Sequence, residues 1–151
     1  MTRPGRVAAL DLGAKRIGVA YSDSNRSLAS PWGAVTRCGD TARDHAAVLA
    51  ALAEIEAVLV VVGLPLSLSG RQGPAAHLAL DEVEVLRGLL EPLGVAVLTA
   101  DERFTTVEAQ RSLTAAGRKG KAARSVIDSA AAMVLLQAWL DAQSSLGSEP
   151  V

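Results

Sequence analysis

The chain has 151 residues, of which 50% are hydrophobic, 3% aromatic and 21% charged, a composition typical of one globular domain and not of a disordered chain. The net charge of −1 argues against a broadly basic nucleic-acid-binding surface but leaves local basic clusters open. The longest apolar run, residues 57–62, is too short for a membrane-spanning helix, and the single cysteine, Cys38, excludes an internal disulfide framework.

The N-terminal ten residues lack the pattern of an export signal, so a cytoplasmic location is expected.

The first forty residues predict three antiparallel strands. Apolar runs then cover residues 6–12, 16–22 and 28–37, and short polar turns join them as in a meander. Cys38 follows the third run and is expected to have no functional role, with a link between two chains through an exposed thiol as the alternative.

The next sixty residues predict alternating helices and buried strands. Apolar residues repeat with a helical period over 41–56, and the β-branched run at 57–63 is typical of a strand covered on both faces. Pro74 is expected to begin a helix that ends near Glu91, and residues 95–100 form another short strand.

Two helices are expected to complete the chain. A capping box starts the first over residues 105–117, and Ser125 is expected to cap the second, which runs to Leu140. Residues 142–151 are expected to form a disordered tail. The whole chain, residues 1–151, is therefore predicted to be a single α/β domain. Its mixed five-stranded sheet has three antiparallel strands and then two parallel ones, flanked by helices, with the first strand at the centre.

Acidic residues occur where predicted elements begin or end. Asp11 ends the first strand, Asp101 and Glu102 follow the fifth, and Asp128 lies in the first turn of the last helix. Ligand sites in parallel sheets gather at the carboxyl ends of strands, so these acids are expected to converge. Carboxylates without nearby His or Cys suit Mg²⁺ or Mn²⁺. Two such ions about 3.5–4 Å apart stabilise the attacking and leaving oxygens in phosphodiester hydrolysis.

Each acid also has a structural alternative. Asp11 could pair with Lys15 or Arg16, or accept hydrogen bonds from turn N–H groups. The acids at 101–102 could lie in a solvated loop, and Asp128 could interact with the helix dipole. The metal-site hypothesis depends on the coincidence of all three positions.

Four segments resemble the YqgF/RuvX family, a branch of the RNase H-like nucleases. They are ALDLGAKRIGVAYSD, VVGLPLSLSGRQG, DERFTT and IDSAAAMVLL, in the order and spacing of that family, and the resemblance extends over residues 6–140. It implies an RNase H-like fold. It also implies that Asp11, Glu102 and Asp128 are the catalytic acids and hold two Mg²⁺ or Mn²⁺ ions when substrate is bound.

The same resemblance implies metal-dependent cleavage of structured nucleic acid. Two substrates compete: the 5′ end of the 16S rRNA precursor in ribosome biogenesis, and the Holliday junction, as for the RuvC resolvase. RNA is the preferred substrate. A junction resolvase should be a symmetric dimer with a large basic face, whereas this chain has a net charge of −1. The expected partners are structured RNA and pre-ribosomal particles, with branched DNA as the alternative, no membrane, and a monomer or weak homodimer.

Basic residues near the acids are the predicted phosphate contacts. The alternative interpretation is that these basic residues form ordinary ion pairs or lie in a solvated loop. The set comprises Lys15, Arg16, Arg71, Arg103, Arg118, Lys119, Lys121 and Arg124. His45 and His77 are expected to be structural.

Two other classes of protein remain open from the sequence. An actin-like ATPase shares the core fold but needs two such domains around its nucleotide, and the chain has no GxxxxGK[ST] loop. A non-catalytic nucleic-acid-binding module is the second, although it would not require three acids.

Overall fold

The computed structural model describes residues 5–64, 74–101 and 121–147, with the backbone alone for 74–76, 101, 121–128 and 144–147. Five strands form one sheet in the order β3-β2-β1-β4-β5. They are β1 Arg6–Leu12, β2 Arg16–Ser22, β3 Ala29–Thr36, β4 Ala57–Leu64 and β5 Ala96–Asp101. β1 pairs antiparallel with β2 and parallel with β4, which confirms the mixed sheet with β1 at its centre.

Three helices flank the sheet in the described residues. α1 spans Thr41–Ile55, α2 spans Pro74–Leu90 and α3 spans Lys121–Gly147. A single 3-10 turn, Glu91–Leu93, follows α2. The predicted helix over residues 105–117 lies outside the described residues.

The two faces of the sheet bury separate apolar cores, because successive side chains of a strand point to opposite faces. Ala8 and Leu10 of β1 belong to the core beneath α1 and α2. Val7 and Ala9 belong to the core beneath α3. All four side chains are fully buried, so β1 is covered on both faces.

The last helix is longer than predicted at both ends. It begins at Lys121, four residues before the expected cap Ser125, because residues 121–124 are all good helix formers. It continues past Leu140, where the Gln137 amide donates a hydrogen bond of 3.0 Å to Asp141 one turn later. Residues 142–147, expected in a disordered tail, belong to this helix, and residues 148–151 lie outside the described residues.

Among the described helices, none combines the length and the apolar character needed to cross a bilayer.

The core beneath α3 provides a stability test. Leu136 is fully buried there, so Leu136→Ala should lower the free energy of unfolding by about 2–5 kcal/mol through lost burial and the cavity left behind. The matched control is Leu78→Ala on α2, where the side chain is 71% exposed and the change should stay within about 0.5 kcal/mol. Urea denaturation monitored by circular dichroism measures both, and equal losses would contradict the assignment of the core.

Candidate active site

Asp11 lies on the face of the sheet that α3 covers. It follows Val7 and Ala9 at two-residue spacing in β1, and both of those residues pack beneath α3. Its side chain is partly buried. In the sheet, Asp11 pairs with Gly18 of β2 on one side and Gly63 of β4 on the other.

The residues beside Asp11 at this level of the sheet are all small. Gly18 pairs onward with Ala34 of β3, and Gly63 pairs with Ala100 of β5. We call Ala34, Gly18, Asp11, Gly63 and Ala100 the small-residue row. Paired residues point to the same face, so no other strand places a side chain larger than a methyl group beside the Asp11 carboxylate at this level.

The carboxylate of Asp11 has neither a hydrogen bond nor an ion pair within the described parts of the chain. The Gly13 N–H donates to the backbone carbonyl of Asp11 at 3.0 Å. This hydrogen bond does not involve the Asp11 carboxylate. The expected alternative, an ion pair with Lys15 or Arg16, is therefore not formed. A partly buried carboxylate that is left without a compensating partner is costly, which makes Asp11 a candidate cation ligand.

The fifth strand ends one residue later than predicted. Asp101 is its last residue and pairs with Leu64, so Asp101 belongs to the strand and does not follow it. Ala100 lies in the small-residue row with Asp11. Glu102 and Arg103 lie outside the described residues.

Asp128 is the eighth residue of α3, and its predicted place in the first turn is wrong because the helix begins at Lys121. The helix dipole acts within the first turn, so the dipole alternative for Asp128 loses its basis. Only the backbone of this residue is described.

The contacts of α3 set its position along β1. The Gln137 side chain accepts a hydrogen bond of 2.9 Å from the Ala29 N–H. Ala29 pairs with Ser22, whose hydroxyl accepts from the Val7 N–H near the start of β1. Most residues from 129 to 136 are buried whereas 141–143 are exposed, so the helix covers the sheet on the N-terminal side of Gln137.

Position 128 lies nine residues before Gln137 in α3, which corresponds to about 13.5 Å of helix. Asp11 lies four residues after Val7 in β1, which corresponds to about 13 Å of strand. The two lengths are similar.

The predicted phosphate contacts fall into two groups. Lys15 is exposed in the β1–β2 turn, and Arg16 begins β2. Lys121 and Arg124 were expected in a loop before the last helix but belong to the first turn of α3. The remaining predicted contacts lie outside the described residues: Arg71, Arg103, Arg118 and Lys119.

A metal site cannot be assembled from the described side chains alone. Among them, no three His, Cys, Asp or Glu side chains cluster as metal ligands. Glu102 and the side chain of Asp128 are not among them.

A polar network that the sequence analysis missed holds the turn after Asp11. Arg37, directly after β3, donates two hydrogen bonds of 2.9 and 2.8 Å to the Glu82 carboxylate on α2. His45 of α1 lies with Nε2 2.8 Å from the same carboxylate and is almost fully buried. The Arg37 Nε donates to the Gly13 carbonyl at 2.8 Å. We call Arg37, Glu82 and His45 the Arg37 network.

The charges of this network stabilise one another. Burial raises the pKa of Glu82, but the hydrogen bonds from Arg37 and His45 outweigh it and leave the pKa below its ordinary value. The hydrogen bond to Glu82 raises the pKa of Arg37 against the effect of burial. Nearby, the Cys38 N–H donates to Asp44 and lowers the pKa of that carboxyl group, while the Cys38 thiol is exposed.

A sequence signal for Glu82 was present. Buried residues of α2 recur at Ala79, Val83, Leu86 and Leu90, and Glu82 adjoins this apolar face. A carboxylate in that position predicts a buried cationic or hydrogen-bonding partner. The sequence does not identify the partner, because Arg37 is 45 residues away.

Solved structures with the same architecture identify the fold. The T. thermophilus RuvC in complex with Holliday junction substrate matches with a TM-score of 0.56 and 17% identity, over 93% of this chain and 96% of that chain. The yeast mitochondrial Holliday junction resolvase Ydc2 matches with a TM-score of 0.65 and 12% identity, over 99% and 83%. At these identities the likeness concerns the fold, which is the RNase H fold of RuvC-like resolvases.

Sequence comparison is more specific. The family model RuvX, described as Holliday junction resolvase, matches residues 5–142. A relative from Mycobacterium sp. (strain KMS) is 45% identical over 97% of this chain and 85% of its own. One from Mycobacterium tuberculosis (strain ATCC 25177 / H37Ra) is 49% identical over 91% and 79%. Both bear the provisional name pre-16S rRNA nuclease. The chain belongs to the RuvX family, as the four sequence segments predict, and its enzymatic class is that of a nuclease.

The Arg37 network makes stability depend on pH. Because the pKa of Glu82 lies below its ordinary 4.5, its stabilisation is complete above pH 4.5 and is lost as the pH falls through the lower folded-state value. Glu82→Gln should cost about 1–3 kcal/mol at pH 7 and flatten the acid side of the stability profile. Urea denaturation between pH 3 and 7 measures this. The control Glu84→Gln, exposed on the same helix, should keep the wild-type slope; equal slopes for both variants would contradict the pKa assignment.

Proposed function

We propose that this protein is a metal-dependent nuclease that processes the 5′ end of the 16S rRNA precursor in the cytoplasm. The observation that carries the proposal is the partly buried Asp11 carboxylate, which has no partner among the described residues and lies between two glycines. The provisional name of the mycobacterial relatives supports the RNA substrate.

The proposed metal ligands are Asp11, Glu102 and Asp128. Glu102 follows Ala100 of the small-residue row by two positions and comes directly after the last residue of β5. A helix that runs alongside β1 from Gln137 would bring the backbone of Asp128 to the level of Asp11. Three carboxylates are hard oxygen donors, so this set fits Mg²⁺ or Mn²⁺ and does not fit zinc, which prefers nitrogen and sulfur.

The chemistry follows from this donor set. Two bound ions would stabilise the attacking and leaving oxygens of the scissile phosphodiester. The three carboxylates of this chain would hold the ions, and the small-residue row leaves the Asp11 side chain without a bulky neighbour from the adjoining strands. The end of β1 is therefore the proposed binding position of the scissile phosphate.

Basic residues are proposed to bind the substrate backbone. Lys15 is exposed two residues after Gly13, close to Asp11 along the chain. Lys121 and Arg124 lie in the first turn of α3, upstream of Asp128. Phosphate contacts of this kind position a substrate without reading its sequence. The proposed set also includes Arg16, Arg71, Arg103, Arg118 and Lys119.

Holliday junction resolution is the second candidate. The family description and the RuvC-like fold favour it. The net charge of −1 weighs against it, because a resolvase binds a highly charged junction as a symmetric dimer. We therefore propose a monomer or weak homodimer that acts on structured RNA, with pre-ribosomal particles as its setting.

A side-by-side cleavage assay tests the proposal. Purified protein with Mg²⁺ or Mn²⁺ is offered a 16S precursor leader RNA and a four-way DNA junction. Asp11→Asn, Glu102→Gln and Asp128→Asn should each lower the cleavage rate at least about 100-fold, because removing one charge-stabilising group typically costs about 10²–10³ in rate. Asp81→Asn, an exposed residue of α2, is the matched control and should cleave like the wild type.

The outcomes separate the candidates. Cleavage of RNA alone, abolished by each of the three substitutions, supports the proposed nuclease. Cleavage of the junction by a dimer supports the resolvase. Cleavage of neither substrate, or cleavage that the three substitutions leave intact, contradicts the three-acid site and favours a non-catalytic binding module.

A further inference from the structure

We propose that Arg37 and Glu82 are positioning residues for the candidate active site: their ion pair fixes the turn after Asp11 and, through it, the backbone of that carboxylate. This inference rests on the proposed function, because it assigns a purpose to the turn only if Asp11 acts in cleavage. Neither residue belongs to the predicted site, and both lie on the α1–α2 side of the sheet.

Arg37 holds the turn at two backbone carbonyls. Its side-chain Nε donates to the Gly13 carbonyl at 2.8 Å, and its backbone N–H donates to the Lys15 carbonyl at 2.9 Å. The Gly13 N–H in turn donates to the Asp11 carbonyl at 3.0 Å. Two hydrogen bonds, one at each end of Gly13, therefore connect the Arg37 guanidinium to the backbone of Asp11.

The turn has little freedom to absorb a displacement at Gly13. A Cβ atom at this position would lie 2.6 Å from the Arg16 carbonyl oxygen, which is closer than real Cβ contacts. Glycine is therefore required by this close approach of two backbone segments. A shift of Gly13 is transmitted to Asp11 before it and to Arg16 after it.

Apolar packing reaches the start of the turn at Leu12, which lies against the core beneath α1 and α2. Beyond it, a cavity of about 530 Å³ lies between the turn and α2, and its lining includes Gly13, Ala14 and Glu82. Among the described residues, the hydrogen bonds from Arg37 support the turn beside this cavity.

Arg37 is oriented by two helices. Its guanidinium forms a two-pronged contact with Glu82 of α2, and His45 of α1 contacts the same carboxylate. The Glu82 carboxylate and the His45 imidazole are both largely buried. A planar guanidinium can bind the carboxylate with two N–H groups and still donate its Nε to Gly13, whereas a lysine ammonium lacks this fixed geometry.

A stabilising role alone does not account for this arrangement. Buried ion pairs contribute little net stability compared with apolar residues of the same volume, because the desolvation of both charges opposes their attraction. Most of the buried residues in the described parts of the chain belong to the two apolar cores. The ion pair adds a defined orientation of the Arg37 guanidinium beside the strand end that carries Asp11.

The first experiment compares Arg37→Lys and Glu82→Gln with wild type, using the 16S precursor leader RNA and saturating Mg²⁺. Each should lower kcat by about 10- to 100-fold with KM changed less than about 3-fold, because a displacement of about 1 Å at a reacting group costs rate more than binding. The control Glu84→Gln makes the same chemical change on the same helix, at an exposed ion pair with Arg87, and should keep wild-type kcat.

A second measurement reads the turn directly. Hydrogen exchange of the Gly13 N–H, which bonds to Asp11, should be at least about 10-fold faster in Arg37→Lys than in wild type, and unchanged in Glu84→Gln. The double variant Arg37→Lys/Glu82→Gln should lose no more kcat than Arg37→Lys alone, since Glu82 acts through Arg37. If Arg37→Lys fails to fold, Glu82→Gln, which keeps the side-chain size, provides the test of kcat and of exchange.

The outcomes distinguish this inference from the function on which it rests. If Asp11→Asn is inactive while both network variants keep wild-type kcat and slow exchange at Gly13, the positioning role is overturned and the proposed nuclease stands. Multiplicative losses in the double variant also overturn it. If Asp11→Asn cleaves like wild type, the proposed function fails first, and the positioning role fails with it.

Discussion

The burial of β1 on both faces is the constraint on which the rest of the structure depends. Residues 7–10 have no exposed surface, because α1 and α2 cover one face of the sheet and α3 covers the other. A charged side chain is tolerated in such a strand only near its end, where the apolar layers stop. Asp11 occupies that end, so the position of the candidate site follows from the packing of the core.

The same constraint explains why a polar network supports the turn beyond Asp11. Where the apolar layers end, a cavity lies between the turn and α2, so packing constrains the backbone less there. Directional hydrogen bonds from Arg37 to Gly13 and Lys15 take over this role. Glu82 and His45, each contributed by a helix of the adjoining layer, link the turn to the body of the domain.

Much of the fold was predictable because its elements have strong local signals. The β-branched run of β4 and the Pro and Gly residues around α2 gave correct elements with bounds within one or two residues. Asp101 was misplaced because its strand pairing with Leu64 depends on a residue 37 positions away. The start of α3 was misplaced because Ser125 resembles a helix cap, whereas the helix-forming residues 121–124 extend the helix upstream.

From sequence alone, the family, the mixed sheet and Asp11 as an unusual acid could be inferred, because periodicity and a charge within an apolar run are local properties of the chain. The glycine neighbours of Asp11 and the partner of Glu82 could not. Gly63 stands beside Asp11 only through the register of parallel strands 52 residues apart, and Arg37 meets Glu82 only through the packing of α2 beside the end of β3. Contacts between distant segments depend on how the layers pack. The local pattern of the sequence does not specify which individual residues meet in such contacts.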